Sequence, residues 1–407
     1  MDYQVPLFKV GGILILKPLN QEELFFNLNP VNFFIISGLV QNLILSGILF
    51  FRHGNRPIAN RMLSLTLMIV SLHLAYLMIL DTNLDNMSPY LLWIPFSYLT
   101  ALGPLIYFYA KALTNISFGW SKKSFWHFIP VTIETALQIF NIVYCIKHDQ
   151  LFYNTPFYFY MAPMLYVWTA GSLLYYLNLS LGVIKSHENW ALENFSNLKE
   201  ITLVWLHKLI VHYRLLWMIW VPFVTIFLLF FRFQLQYLGI VLTLYLLLLA
   251  MTYLTFWIGL QGLVHANAIT LKRNTRPRDN KNFGHLSQSQ IQAYVKGFEA
   301  LMSRDKAYLD ENLSLTEFAS LLNLDSNLVS YILNNHLKSN FHDFVNQYRI
   351  KEVKKRLTDP AYDNITLLGI ALDSGFNSKT TFNRVFKKIT GITPTEFQKM
   401  GKQDSTE

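Results

Sequence analysis

Seven long runs of apolar residues, separated by short polar stretches, fill the first two thirds of the chain. They lie near 31–51, 61–80, 90–112, 125–146, 156–184, 210–231 and 236–260. Each run is continuous and has about the 20 helical residues needed to cross a ~30 Å hydrocarbon core. Transmembrane strands would alternate and be about half as long. The pattern therefore predicts a seven-helix transmembrane bundle.

The spacing of apolar residues changes after the last of these runs. From about residue 287, apolar positions recur every three to four residues, as on the buried face of short amphipathic helices. Ile291, Phe298 and Leu301 belong to the first such face. We therefore predict an all-α chain. Its parts are an external N-terminal segment (1–30), a transmembrane module (31–264), a basic linker (265–286), a soluble helical domain (287–400) and a tail (401–407).

Composition indicates that the two regions face different solvents. Hydrophobic residues make up 52% of the 407 residues and charged residues only 14%, against about 25% charged in soluble domains. The first 264 residues contain 14 Lys and Arg and 10 Asp and Glu, whereas the other 143 contain 20 and 15. The charge deficit is thus confined to the first region, and it disfavours an ordinary soluble enzyme.

Basic residues alternate between successive loops of the predicted bundle. The second loop carries Asp81 and Asp85, and the fourth carries only Lys147 as a basic residue. The odd-numbered loops and the linker are richer in Lys and Arg, among them Arg52, Arg56, Arg61, Lys122, Lys123, Lys185, Lys199, Lys208, Lys272, Arg273, Arg276, Arg278 and Lys281. Because Lys and Arg concentrate on the cytoplasmic side, the N-terminus is predicted outside and the helical domain in the cytoplasm, at the inner membrane.

A single carboxyl group, that of Glu134, lies near the middle of the predicted fourth transmembrane helix. A charged group at that depth is costly and normally faces a partner or a wet cavity. Two interpretations stay open. Glu134 is a possible membrane signal site that contacts a ligand or responds to protons, or it is protonated or hydrogen-bonded to a neighbouring helix for packing.

The sequence contains no recognisable catalytic or metal-binding motif. Its one cysteine, Cys145, rules out a disulfide framework and a cysteine-based zinc site. No His or acidic pair has the helix-face spacing of a metal site, and no phosphate-binding loop or nucleophile elbow occurs. We therefore predict that the protein is not an enzyme and has no catalytic residue, cofactor or metal.

Two short helix pairs are predicted in the C-terminal domain. In the first pair, a helix within 314–324 precedes a helix capped by Asp325 or Ser326. In the second pair, a helix ends at Gly375, where glycine adopts the left-handed conformation without penalty, and Ser378 caps the next helix. Two helices joined by a tight turn are typical of the helix-turn-helix motif. The domain is thus predicted to hold two helix-turn-helix units joined by one longer helix.

The stretch DSGFNSKTTFNRVFKKITGITPTEF, residues 373–397, closely resembles the signature of AraC/XylS-type transcriptional regulators. The resemblance covers about 287–400 and includes the upstream elements TEFASLLNLDSNLVSYI and FVNQYRIKEVKKRL. It implies that the two units enter two successive major-groove segments on one face of DNA, about 34 Å apart.

The resemblance also implies which side chains face DNA. Asn327 and Tyr331 occupy the groove-facing positions of the first unit. In the second unit, the groove-facing residues and their neighbours on the same helix face are Lys379, Thr380, Asn383, Arg384, Lys387 and Lys388. Arg and Lys suit guanine edges and Asn suits adenine, whereas Lys387 and Lys388 are expected to contact phosphates. The alternative is that Arg384 or Lys379 contacts only phosphate or is simply solvated.

Together these features predict a membrane-anchored, sequence-specific transcriptional regulator that senses a signal through its transmembrane module. Its expected partners are promoter DNA, the lipid bilayer, a second copy in a homodimer and an unknown small-molecule or membrane signal. Residues 287–407 hold 15 Lys and Arg against 14 Asp and Glu, so DNA binding must rely on a localised basic face and on dimerisation. The alternative is a transporter or membrane enzyme with an appended regulatory DNA-binding domain.

Overall fold

The structure is a computed structural model that describes the helices and the residues next to them. The described residues are 30–52, 56–82, 84, 91, 98–115, 118–148, 155–198, 201, 203–232, 238–265, 283 and 286–403. The predicted N-terminal segment 1–30 and linker 265–286 lie outside them, apart from a few residues.

The chain divides into two compact units. One comprises Met1–Ile184 and Val204–Arg273, and the other comprises Lys185–Leu203 and Asn274–Glu407. In chain order, the first seven long helices are α1 (Pro30–Phe51), α2 (Pro57–Asp81), α3 (Leu102–Thr114), α4 (Ile129–His148), α5 (Pro156–Asn194), α6 (Val204–Arg232) and α7 (Leu238–His265). A helical turn, Lys122–Phe125, precedes α4. The described residues form helices and no extended sheet, which confirms the all-α prediction.

Four helical segments among the described residues are long and apolar enough to cross a membrane. They are Pro30–Phe51, Pro57–Ile79, Lys122–His148 and Met164–Asn194, and they coincide with the first, second, fourth and fifth predicted spans. Helix α3 has only 13 residues, which at 1.5 Å per residue gives about 20 Å. Pro104 lies in its first turn, where a missing N–H is tolerated. The count of seven transmembrane helices stays a prediction.

Polar side chains join neighbouring helices of the first unit. Ser46 on α1 and Ser64 on α2 lie with their hydroxyl oxygens 3.0 Å apart, and each hydroxyl also donates to the backbone carbonyl of the other residue. Asn42 Nδ2 on α1 donates to Thr255 Oγ1 on α7 at 3.1 Å. Such interhelical bonds satisfy polar groups that lipid cannot, so these three helices are held together by specific contacts.

The described residues of the second unit form seven further α-helices. They are α8 (Gln288–Ser303), α9 (Leu315–Leu321), α10 (Ser326–Asn335), α11 (Phe341–Leu357), α12 (Leu367–Asp373), α13 (Lys379–Thr390) and α14 (Pro394–Gln403). A side chain caps each of these seven helices by accepting a backbone N–H bond: Ser287, Ser314, Asp325, Asn340, Thr366, Ser378 and Thr393. These caps satisfy donors that a helix leaves open at its start, and they fix where each short helix begins.

Helix α11 joins two separate hydrophobic cores. Its first half places Phe344 and Val345 in a core with α8, α9 and α10. Its second half places Ile350 and Val353 in a core with α12 and α13. The second unit therefore consists of two lobes, and each lobe holds a pair of short helices joined by a tight turn. The lobes share one continuous helix, which ties the position of one pair to that of the other.

The Arg349 guanidinium, only 1% exposed, lies on α11 where the two lobes meet. Its Nε donates to the Tyr308 carbonyl at 2.8 Å, and its Nη2 donates to the Asp310 carbonyl at 2.6 Å. Its central carbon lies 5.9 Å from the centre of the Phe376 ring in the second lobe. Gly375, in the second lobe, lies directly beside the Arg349 guanidinium and the Tyr308 carbonyl. Its φ is 92°, and a Cβ built there would lie 2.9 Å from Arg349 Nε and overlap the Tyr308 carbonyl oxygen.

We expect Gly375→Ala to destabilise the C-terminal domain more than Gly391→Ala does. Both glycines have positive φ, and a left-handed alanine costs about 1–2 kcal/mol. Only at Gly375 does the new methyl group meet backbone and guanidinium atoms, which adds roughly 1–3 kcal/mol of overpacking. Amide hydrogen exchange of α9 to α13 in the purified full-length protein measures both losses.

Gly391 is the matched control, because nothing among the described residues lies within 4 Å of a Cβ built there. Equal losses of protection in the two variants would mean that the close approach at Gly375 does not hold the lobes together.

Candidate DNA-binding surface

The outward face of α13 consists of six exposed polar side chains. They are Lys379, Thr380, Asn383, Arg384, Lys387 and Lys388. The opposite face buries Phe382, Val385 and Phe386, none of them more than 3% exposed. The apolar spacing along the sequence fixes this orientation, since these three residues fall on one side of the helix. The helix therefore presents a cationic face with hydrogen-bonding groups to solvent.

Helix α10 presents a different surface in the first lobe. Asn327 and Tyr331 are half-buried. The ring of Tyr331 lies 5.4 Å, centre to centre, from Phe283 and 5.7 Å from His336, and it packs against the first core. Tyr331 thus helps to pack the first lobe, and only part of its ring surface is accessible for contact with a base.

Lys388 forms an ion pair that the sequence did not predict. Its Nζ lies 2.8 Å from both carboxylate oxygens of Asp343 on α11. The Lys388 side chain is 62% exposed and that of Asp343 is 30% exposed, so solvent screens the pair and its contribution to stability is small. It nevertheless neutralises part of the positive charge on the outward face of α13.

A histidine supports the same carboxylate. His342 Nδ1 lies 3.3 Å from Asp343 Oδ1, and the ring is only 3% exposed. Burial lowers the pKa of His342, so the ring is neutral at physiological pH and its Nδ1–H donates to Asp343. This hydrogen bond, together with Lys388, holds the pKa of Asp343 well below its usual range, against the opposing effect of burial. Asp343 therefore stays charged and retains Lys388 at all physiological pH values.

The sequence contains one local signal for this arrangement. Asn340 and Asp343 have the three-residue spacing of a helix N-terminus, and Asp343 N donates to Asn340 Oδ1 at 2.8 Å. That spacing predicts the start of α11. The pairing with Lys388 joins residues 45 positions apart, which no local pattern reveals.

Glu134 lies on α4, in the first unit. It is 4% exposed and accepts a hydrogen bond from Thr100 Oγ1 at 2.5 Å and a longer one from Thr100 N at 3.4 Å. These contacts agree with the packing interpretation of this residue, while its role in sensing stays a prediction. Among the described residues, no group of three or more His, Cys, Asp and Glu is placed to hold a metal ion.

Residues 318–400 match the family described as a helix-turn-helix domain. An uncharacterised HTH-type transcriptional regulator of Staphylococcus aureus strain COL is 34% identical over 91 residues, which are 22% of this chain and 12% of the relative. A similar regulator from Staphylococcus aureus strain MSSA476 is 33% identical over 91 residues, which are again 22% of this chain and 12% of the relative. The melibiose operon regulatory protein of Escherichia coli K12 is 27% identical over 94 residues, 23% of this chain and 30% of the relative.

The family match ends within the C-terminal domain, and each relative matches less than a quarter of the chain. The chain spans only 12% of the length of the first relatives, and no solved structure matches it. Residues 318–400 form an AraC-type helix-turn-helix domain, which confirms the family resemblance seen in the sequence. The match covers α10 to α13, and therefore the cationic face of α13.

We expect Lys387→Ala to weaken nonspecific DNA binding more than Lys388→Ala does. A phosphate-binding lysine contributes about one unit to the slope of the logarithm of the affinity against the logarithm of the salt concentration. Asp343 already pairs with Lys388, so Lys388 gains less from a phosphate than its neighbour. Affinity for a fixed duplex, measured against salt concentration, gives the slope for each variant.

Asp343→Asn is the complementary change, because it keeps a side-chain oxygen at the helix start and releases Lys388. It should raise the affinity and steepen the salt slope. Identical slopes for Lys387→Ala and Lys388→Ala would contradict the role given to Asp343.

Proposed function

We propose that this chain is a transcriptional regulator that binds specific promoter sequences while held in the inner membrane. The observation that carries the proposal is the exposed cationic face of α13, on a domain that matches the helix-turn-helix family. An exposed helix with Arg, Lys and Asn on one face suits base edges in a major groove. The names of the relatives, which are transcriptional regulators, support the same function.

Two helix-turn-helix units act together in this proposal. Helix α13 of the second lobe and α10 of the first enter successive major-groove segments, and α11 sets the spacing between them. A near-neutral domain gains little nonspecific affinity from charge, so a homodimer that binds two half-sites would supply the remaining affinity and specificity.

We expect Arg384→Ala to relax the sequence preference of the protein at one base position. Arg384 is exposed in the middle of α13, where a bidentate contact with guanine is worth about 1–3 kcal/mol of discrimination. Selection of bound sequences from a random DNA library by the full-length variant and the wild type measures this change.

Lys387→Ala is the control on the same helix, because loss of a phosphate contact weakens binding to all sequences alike. An unchanged ranking of sites in Arg384→Ala would mean that this residue does not contact a base.

The membrane location is part of the same proposal. Four described helices have the length and apolarity of membrane spans, and Lys and Arg are concentrated in the odd-numbered loops of the sequence. Under the positive-inside rule, seven spans would carry the N-terminus to the outside and residues 287–400 to the cytoplasm, where promoter DNA is accessible.

Reporter fusions at four loop positions test this orientation. Fusions after residues 55, 118 and 270 should give a cytoplasmic signal, and a fusion after residue 85 should give an external one, because basic loops stay inside. An external signal after residue 270 would place the domain away from DNA and refute the proposed function.

Sensing is the third part of the proposal. A single span would be enough to tether the domain, yet the sequence holds seven apolar runs and a buried carboxyl group at Glu134. A ligand or membrane state alters regulation only if it interacts differently with two conformations of the bundle. A group such as Glu134, whose ionisation depends strongly on its surroundings, suits that role.

A further inference from the structure

The end of α5 and the residues after it belong to the same compact unit as the DNA-binding domain. Helix α5 runs without interruption from Pro156 to Asn194, and Lys185–Leu203 groups with the C-terminal residues. Residues 195–198, called the docking segment below, leave the helix and lie along the domain. They are more than 100 positions from their partners in the sequence.

Backbone hydrogen bonds hold the docking segment in place. Ser196 N donates to the Leu313 carbonyl at 3.2 Å, and Phe195 forms an antiparallel bridge with Ser314. Ser314 is the capping residue of α9. The docking segment therefore adds a short strand-like pairing immediately before the first helix of the first helix pair.

The side chain of Ser196 is integrated into a buried polar network. Its hydroxyl donates to the Leu313 carbonyl at 2.6 Å and accepts from Arg349 Nη2 at 3.0 Å. Its carbonyl accepts from Asn346 Nδ2 at 3.3 Å. Ser196, Asn346 and Arg349 are each at most 1% exposed. Withdrawal of the docking segment would remove partners from two buried polar side chains, which is costly.

The network reaches both lobes of the domain. Leu313 and Tyr308 belong to the core of the first lobe, while Arg349 faces the ring of Phe376 in the second. The hydrogen bonds of Ser196 go to Leu313 and to α11, and the predicted DNA contacts lie on α10 and α13. Docking therefore acts on the joint between the lobes and is compatible with bound DNA.

We propose that the docking segment couples α5 to the DNA-binding domain by completing the Arg349 network that sets the two lobes in their DNA-binding arrangement. The proposal rests on the proposed function, because α5 is there a transmembrane helix and the domain a DNA reader. A displacement of α5 would pull Ser196 from Arg349, loosen the joint and lower the affinity for DNA. The docking segment would thus link α5 to the domain, in addition to the covalent linker.

Hydrogen exchange of the unaltered full-length protein tests the docking first, and thiol labelling of two cysteine variants tests it independently. The Ser196 amide is bonded to the Leu313 carbonyl, so its hydrogen exchange should be slow. In a Cys145→Ser background, Ser196→Cys should react with a charged maleimide at least tenfold more slowly than Ser186→Cys, with each rate normalised to the denatured protein. Ser186 is an exposed residue of the same unit. Rapid amide exchange at Ser196 in the wild type would overturn the proposal.

Coupling is tested by comparing Ser196→Ala with Ser186→Ala in the full-length protein. The probe is a duplex that the wild type selects from a random library. Ser196→Ala should lower the affinity about fivefold or more, the lower end of typical coupling between sites, while Ser186→Ala leaves it unchanged. Because coupling is reciprocal, the same duplex should slow exchange of the Ser196 amide in the wild type. Preserved exchange protection in α13 would show that the variant remains folded.

The outcomes of these tests distinguish a failure of the coupling from a failure of the proposed function. A protected Ser196 amide with unchanged affinity in Ser196→Ala would overturn the coupling. A protected amide in a wild-type protein that selects no duplex at all would contradict the proposed function and leave the docking supported.

Discussion

Burial of the Arg349 guanidinium constrains the second unit more than any other interaction described above. A charge removed from water is costly unless several hydrogen bonds replace its hydration. The carbonyls of Tyr308 and Asp310 and the hydroxyl of Ser196 supply these bonds. Burial lowers the pKa of Arg349 to about 10, so the group stays charged at physiological pH. Because its partners come from two separate segments, residues 308–310 and Ser196, both segments must be in place at once.

The arrangement of the helix pairs follows from that constraint. Residues of α11 that flank Arg349 contribute to both hydrophobic cores. At position 375, glycine is the residue type that fits beside the guanidinium and the Tyr308 carbonyl, because a Cβ there would overlap them. Nearby, Tyr308 donates to Glu352 Oε2 at 3.0 Å, and Arg356 pairs with Glu352 at 2.8 Å. Burial and this acceptor raise the pKa of Tyr308 to about 12. The polar side chains of α11 thus form specific hydrogen bonds and ion pairs, just as its apolar side chains form specific contacts in the two cores.

The features that could be predicted from the sequence are the local ones. Helical spacing identified Phe382, Val385 and Phe386 as buried and the Lys and Arg residues of α13 as exposed. Capping residues such as Asp325 and Ser378 predicted helix starts, because their hydrogen bonds reach only a few positions along the chain. The length of α3 was not predictable from hydropathy, since an apolar run does not reveal where a helix begins.

The contacts between distant residues could not be predicted. The Lys388–Asp343 pair and the Ser196–Arg349 bond span 45 and 153 positions, and such partners are brought together only by the tertiary fold. A buried arginine also looks like a surface residue in the sequence, because other charged residues, among them Lys351 and Lys354, follow Arg349 closely on α11. Sequence patterns located the candidate surface but not the network that positions it.

The central claim is that an intact, membrane-held chain binds specific promoters. A genome-wide occupancy map, made with tagged full-length protein in cells whose tagged protein is found intact in the membrane fraction, tests it most directly. The account predicts a small set of discrete sites that share two half-sites, and a relaxed preference at one base position of those sites in Arg384→Ala at equal protein level. Occupancy without sequence preference, or sites bound only by a released C-terminal fragment, would contradict it.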